Sequence, residues 1–152
     1  MTPAGSVRAA LLDGVAVAAR AALDARAASI ALVDPRTGDL VFEAVAGGAG
    51  PELLGARFRA DEGIAGHVVQ SGRAIHVADL ARDPRFAHDI AAEIGYQPEA
   101  LSAAPIRRGD SVAGVLSVLD PGDAPPGGAD AVLAALCVHA AAALDLGDAI
   151  TR

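Results

Sequence analysis

Residues 58–86 read FRADEGIAGHVVQSGRAIHVADLARDPRF, and this stretch decides how the chain is interpreted. Apolar residues recur at helical spacing over 63–70, and Gly72 suits the left-handed end of such a helix. Residues 74–78 predict a short strand, and residues 79–86 are mostly polar. The stretch therefore predicts a short helix, a short strand and a turn in close succession.

Two β-hairpins flank this central stretch. Residues 28–34 and 39–45 alternate with the period of strands on either side of a turn that contains proline and glycine. Residues 101–106 and 111–119 repeat the pattern around a second glycine-containing turn. The two hairpins predict an antiparallel sheet.

Helical periodicity marks both ends of the chain, over 5–26 and 130–146, and a third helical pattern covers 86–94. The last helix is apolar on nearly every side. One of its faces is expected to meet the sheet, and the other the first helix or a second subunit. The order of elements predicts one α+β domain over 1–152, with a core of about 5–146.

Composition excludes several classes of protein. The chain has 152 residues, 53% of them hydrophobic, and a formal net charge of −7. All twelve basic residues are arginine. This charge does not favour nucleic acid or anionic lipid. The longest run without Asp, Glu or Arg, residues 131–144, is shorter than the ~20 residues that span a membrane.

The lone Cys137 excludes an internal disulfide, and we expect a cytoplasmic protein without a signal peptide. No nucleotide-binding, hydrolase or metalloprotease motif is present, and the four histidines form no recognised metal spacing. Cys137 and His139 stand two residues apart on a helix, so they cannot form a nucleophile–base pair. The chain is therefore expected not to be an enzyme and to bind no metal.

Five motifs occur in the order found in GAF domains, which the chain resembles over roughly residues 5–146. They are Ala28–Asp34 with Thr37–Gly38, Glu62–Gly66 with Gly72, Ile75–Asp79, Asp83–Phe86, and Pro105–Ile106 with Val112–Leu116. The resemblance implies a PAS-related antiparallel sheet of five or six strands. It implies that the terminal helices pack on one face of the sheet. On the other face, the segment between the hairpins would cover a ligand pocket.

A pocket of this kind would lie between the sheet and residues 57–104. Small-molecule sites are mostly apolar and carry a few directed polar groups. The candidate ligand-binding residues that fit this description are Phe58, Ile64, His67, His76, Asp79, Phe86, Tyr96 and Ser102. Each also has a plain structural interpretation, such as core packing for Phe58 and Phe86 or turn formation for Asp79.

The chain departs from several ligand-binding branches of the family. Cyclic-nucleotide-binding members carry an Asn-Lys…Phe-x-x-x-Asp-Glu pattern, whereas this chain has no lysine and only two residues between Phe58 and Asp61. Cys137 lies outside the region where bilin-binding members attach their pigment. Free methionine sulfoxide reductases use several cysteines in the middle segment, where this chain has none. A haem sensor would use one histidine as axial ligand and is a further, less favoured alternative.

Two functions therefore stay open. The domain either senses a small molecule and relays binding through its terminal helices, or serves as a ligand-free dimerisation or scaffold module for a signalling partner. A closed pocket with two or more unpaired polar groups favours sensing, and a filled apolar layer favours scaffolding. In both cases we expect a homodimer through residues 5–26 and 130–146.

Overall fold

One six-stranded antiparallel sheet, with strand order β3-β2-β1-β6-β5-β4, organises the molecule. The computed structural model describes residues 3–48, 53–85, 98–122 and 128–151. The strands are β1 (Ala27–Val33), β2 (Leu40–Gly47), β3 (Arg57–Phe58), β4 (Ile75–Val77), β5 (Leu101–Arg108) and β6 (Ser111–Leu119). The helices are α1 (Pro3–Ala22), α2 (Gly63–Ser71) and α3 (Ala129–Thr151), and a 3-10 turn covers Leu80–Arg82.

The central pair β1 and β6 sets which residues share a face of the sheet. Ile30 lies opposite Leu116 and Ser29 opposite Ser117 in this antiparallel ladder. Because successive side chains of a strand point to opposite faces, Ile30 and Leu116 share one face while the two serines share the other.

The terminal helices α1 and α3 pack side by side on the face that carries Ile30 and Leu116, which we call the helix face. Leu12 on α1 and Leu133 on α3 are almost fully buried there. Apolar burial is the main favourable term in folding, so this layer forms the principal core. The buried residues of this core are Leu12, Val15, Ala16, Ala19, Leu23, Ala25, Ala28, Ile30, Leu32, Ala44, Ala46, Ala104, Ile106, Leu116, Val118, Leu133, Cys137, Ala140, Ala143 and Leu144.

The opposite face of the sheet, which we call the lid face, meets α2 and the 3-10 turn. We refer to these two elements as the lid. Ile64 and Val68 of α2 and Leu80 of the turn form a second buried cluster with Leu101, Ala103 and Val115 of the sheet. The expected α+β fold, with terminal helices on one face and the intervening segment on the other, is confirmed.

Two differences from the predicted elements have local causes. Strand β3 was not predicted, because two residues are too few to show alternation, and it pairs with Leu40 and Val41. Helix α1 ends at Ala22 rather than residue 26, since Asp24 adopts a left-handed φ of 48°. The predicted helix over 86–94 lies outside the described residues.

Helix α3 is longer than predicted and changes one expectation. Over Ala129–Asp148 it has the length and composition of a membrane span, which the sequence had not been expected to provide. Leu133, Cys137 and Leu144 nevertheless pack into the core between the sheet and α1. The core helix of a globular domain passes the same test of length and composition, and 28% of this span is buried in the structure.

Candidate functional site

The two faces of the sheet are covered to different degrees. Ile30, Leu116 and Val118 on the helix face are completely buried. On the lid face, Phe42, Val45 and Ser117 are only half-buried. Ser117 lies on the central strand β6, whereas Val45 lies beyond the two residues of β2 that pair with β3. On the lid face these three residues keep accessible surface, whereas Ile30, Leu116 and Val118 on the helix face keep none.

This accessible surface is mainly apolar and includes the half-buried Ser117, whose cross-strand partner Ser29 is buried. The rings of Phe42 and Phe58 contact each other at a centroid distance of 5.3 Å and form one side of it. Ser29 and Ser117 lie next to each other at its centre. These features match the general character of a small-molecule site, which is apolar with a few polar groups.

Asp83 fixes the end of the lid. Its carboxylate accepts hydrogen bonds from the Arg85 backbone N–H at 2.8 Å and from the Arg85 guanidinium Nε at 2.9 Å and Nη2 at 2.6 Å. The Asp83 side chain is 9% exposed. The hydrogen bonds from the Arg85 guanidinium are the main cause that lowers the pKa of Asp83 from its ordinary value of 3.8 to about 2.

A second carboxylate fixes the chain where it returns to the sheet. Asp120 Oδ1 accepts from the backbone N–H groups of Glu99 and Ala100 at 2.7 and 3.0 Å. The Leu80 N–H donates to the Glu99 carbonyl at 2.9 Å. The two sides of segment 86–97 are thus tied to each other and to the end of β6.

The structure places two of the predicted site residues on the lid side of the molecule. Phe58 of β3 is half-buried and contacts Phe42, while Ile64 of α2 is buried in the lid cluster. His67 is exposed on α2, and Asp79 is exposed with its carboxylate 3.4 Å from Arg82 Nε. Neither of these two polar side chains faces the sheet.

Phe86 and Tyr96 lie outside the described residues, so the structure gives no contacts for them. Their assignment to the site stays a prediction.

His76 and Ser102 are brought together, but on the helix face rather than under the lid. They are cross-strand partners in β4 and β5, and His76 Nδ1 lies 2.6 Å from Ser102 Oγ. The other ring nitrogen, Nε2, hydrogen-bonds to the carboxylate of Asp130 in the first turn of α3. A carboxylate can only accept, so Nε2 donates to Asp130, and in the neutral ring Nδ1 accepts from the Ser102 hydroxyl.

The arrangement His76–Ser102–Asp130 is a link between β4 and α3. The sequence pattern did not indicate Asp130, because 54 positions separate it from His76. Ser29 and Ser117 were also missed. The signal available for them was the alternation in β1 and β6, which places each serine on the face opposite its large apolar neighbours.

Cys137 is an inert core residue. Its thiol lies 3.8 Å from the Ala104 carbonyl, and burial raises its pKa to about 12. The thiolate, which is the nucleophilic form, is therefore suppressed. Within the described ranges, no group of three or more His, Cys, Asp or Glu residues could hold a metal ion.

Comparison with known proteins agrees with this geometry. A family model described as GAF domain matches residues 8–144. The GAF domain of a phosphoenolpyruvate-protein phosphotransferase from Coxiella burnetii is 25% identical, with a TM-score of 0.82 over 93% of this chain and 84% of that chain. The corresponding domain from Acinetobacter is 23% identical, with a TM-score of 0.78 over 95% and 86%.

The fold is also that of an enzyme. The free methionine-R-sulfoxide reductase from Neisseria meningitidis, solved in complex with its substrate, is 19% identical. Its TM-score is 0.75 over 93% of this chain and 80% of that chain. No curated protein matches the chain significantly. These structural likenesses show the fold.

We expect the substitution Asp83→Asn to lower the free energy of unfolding by about 1 kcal/mol at pH 7, after a discount for solvent around Arg85. Because the pKa of Asp83 is lower in the folded than in the unfolded protein, its carboxylate stabilises the fold at pH values above the unfolded pKa. This stabilisation is lost as the pH falls towards the folded pKa. The difference in unfolding free energy between the wild type and Asp83→Asn should therefore decrease below about pH 4 and vanish near pH 2. Urea unfolding at several pH values measures it.

The control for this experiment is Asp61→Asn. Asp61 pairs with Arg59 at 2.6 Å, but both side chains are more than half exposed. Such surface pairs contribute little, so the control should change stability by less than about 0.5 kcal/mol. A loss in Asp83→Asn that is independent of pH would contradict the role assigned to this carboxylate.

Proposed function

The chain belongs to the GAF domain family, a family of signalling and sensing domains, and on that premise we propose that it senses a small molecule. The ligand would lie between the lid face of the sheet and residues 57–104, and binding would be relayed through α1 and α3. The observation that carries this proposal is the incomplete burial of Phe42, Val45 and Ser117. A layer built only for stability would bury these positions as fully as Leu116 is buried on the other face.

A scaffold without a ligand is the second candidate, and one observation favours it. The described lid residues Ile64, Val68 and Leu80 are buried against Leu101 and Ala103, so this part of the layer is filled and apolar. That filled part lies over the β4–β5 side of the sheet. The half-buried residues lie nearer β2, and it is there that we place the ligand.

Two contacts support a relay from the lid side to α3. His76 joins edge strand β4 to the first turn of α3 through Asp130. At the opposite end of the molecule, Arg107 donates to the carbonyl of Gly72, which ends α2, while the adjacent Arg108 binds Asp145 and Asp148 of α3. Adjacent residues of a strand reach opposite faces, so the tip of the β5–β6 hairpin connects the lid to α3.

The outer surface of the terminal helices supports a homodimer. Between residues 131 and 144 of α3, every exposed residue except His139 is alanine or valine, and Val138 is 69% exposed. A groove of about 540 Å³ between α1 and α3 is lined by apolar residues and one histidine: Ala10, Leu11, Gly14, Val15, Ala18, Leu136, His139, Ala142, Ala143 and Leu146. Contiguous exposed apolar surface of this kind marks interaction sites.

We assign the second copy of this chain as the occupant of that surface. The surface carries almost no charge, so it offers nothing to a charged partner. An identical apolar face brought by a symmetry mate would cover it completely, and small residues let two helices approach closely. A further signalling protein could then bind elsewhere on the dimer.

No catalytic role is part of this proposal. The one cysteine is buried in α3 with a raised pKa, so it cannot carry thiol chemistry under the lid. The three described histidines are His67 and His139, which are exposed, and His76, which faces α3. None of them lies on the lid face where a haem would need a ligand. The described histidines thus give no support for a haem, and we propose neither haem, bilin nor cyclic nucleotide as ligand. We also propose a cytoplasmic location.

Ligand binding is tested by thermal unfolding in the presence of a metabolite collection. A true ligand at a hundred times its Kd should stabilise by about 2.7 kcal/mol, which corresponds to a rise in Tm of about 5–10 °C. Val45→Phe, which fills the lid face, should abolish the rise. Ser111→Phe, at an exposed position at the start of β6, should retain it. If nothing stabilises the protein and Val45→Phe raises its Tm, the scaffold function is correct instead.

If binding is relayed through His76, the substitution His76→Ala should make local opening of the first turns of α3 easier. Loss of the link to Asp130 should raise amide hydrogen exchange in residues 131–138 about fivefold, the effect of one lost hydrogen bond. His67→Ala, the same change at an exposed histidine on α2, should leave exchange in α3 unchanged. Equal exchange in wild type and His76→Ala would show that the link does not couple β4 to α3.

If the chain forms a homodimer through this groove, the substitution Leu146→Glu should halve the molecular mass of the particle in solution. Leu146 is 45% exposed and lines the groove, so a carboxylate there should give a monomer in light scattering after gel filtration. Val17→Glu is the matched control, since Val17 is 59% exposed on α1 but does not line the groove. A wild-type protein that is monomeric at high micromolar concentration would contradict the assignment.

A further inference from the structure

Two serines lie side by side at the centre of the lid face. Ser29 of β1 is directly opposite Ser117 of β6 in the antiparallel ladder. Such cross-strand partners have Cβ atoms about 5 Å apart and project from the same face. The two hydroxyl groups can therefore both hydrogen-bond to one polar group placed between them.

Ser29 is buried, and no residue that the structure describes hydrogen-bonds to its hydroxyl. Its exposed fraction is 6%, and it is one of two buried polar residues among those that the structure describes, the other being Ser102. The Ser102 hydroxyl is hydrogen-bonded to His76. No described residue forms a hydrogen bond with the side chain of Ser29 or Ser117. Because buried polar groups are nearly always paired, an unpaired hydroxyl at this place indicates that something else supplies its partner.

The described surroundings of the two serines carry no charge. Their neighbours on the lid face include Phe42, Val45 and Val115, and the lid contributes Ile64 to the same side. The charged side chains that flank the lid are either exposed, as Asp61 and Glu62 are, or paired with each other, as Asp83 and Arg85 are.

We propose that Ser29 and Ser117 together hold the polar group of an uncharged, mainly apolar ligand. This inference rests on the proposed sensing function and specifies its ligand. A hydroxyl both donates and accepts, so a ligand hydroxyl, carbonyl or amide satisfies the pair. A carboxylate or phosphate would be buried here without a counter-charge, which is unfavourable.

Three probes of similar size test the ligand class. Toluene has no hydrogen-bonding group, phenol adds one hydroxyl, and benzoate adds a charge. Binding is followed by chemical-shift changes in ¹H–¹⁵N spectra of the wild-type protein and of the double variant Ser29→Ala/Ser117→Ala. Phenol should bind the wild type about tenfold more tightly than toluene, the effect expected of one buried hydrogen bond, and benzoate should not bind.

The double variant should bind phenol about tenfold more weakly and toluene as well as the wild type does. Ser111→Ala, in the exposed start of β6, should leave all three affinities unchanged. The stability of the ligand-free double variant is a second readout. It should equal or exceed that of the wild type, since removing an unpaired buried hydroxyl relieves its desolvation.

The remaining outcomes separate this inference from the proposed function. If benzoate binds the lid face as well as phenol, or the double variant keeps its phenol affinity, the ligand class is wrong while sensing stands. A strong loss of stability in the ligand-free double variant would likewise overturn the inference, because the hydroxyls would then be satisfied within the protein. If neither toluene nor any other probe binds the lid face, there is no space under the lid and the sensing function fails as well.

Discussion

The antiparallel ladder between β1 and β6 is the constraint on which the rest of the structure depends. It pairs Ile30 with Leu116 and Ser29 with Ser117. The apolar pair therefore points to the helix face, and the neighbouring serine pair points to the lid face. A shift of one residue in this register would turn Ile30 towards the lid and the serines into the core. The register therefore determines which face the terminal helices cover and which face the lid covers.

The sequence was sufficient for the architecture because its strongest signals are local. Alternation identified both hairpins, and the glycine expected to end α2 is Gly72, with a φ of 67°. Helical periodicity could not place the end of α1, since that end is a left-handed turn at Asp24, where Ala25 N–H donates to the Arg20 carbonyl. Strand β3 exists only by pairing with β2, so no local pattern could indicate it.

Less of the candidate site was predictable, because the sequence alone does not show which face of the sheet each side chain occupies. His76 and Ser102 were chosen for their chemistry, but the register of β4 and β5 turns both towards α3. Ser29 was overlooked because a serine inside an apolar strand resembles a tolerated polar substitution. Recognising it requires the pairing with Ser117, which is a non-local property that follows only once β1 and β6 are aligned.

The two layers that cover the sheet contribute unequally to stability, and this difference is useful to a sensor. In the described part of the chain, twenty buried residues form the core on the helix face and six form the cluster under the lid. Segments with few buried apolar contacts open at a lower free energy than the core does. On the proposed function, the lid would admit a ligand without unfolding the domain. A ligand that restores the missing burial on the lid face would then stabilise the closed form, and the links through His76 and Arg107 would carry that change to α3.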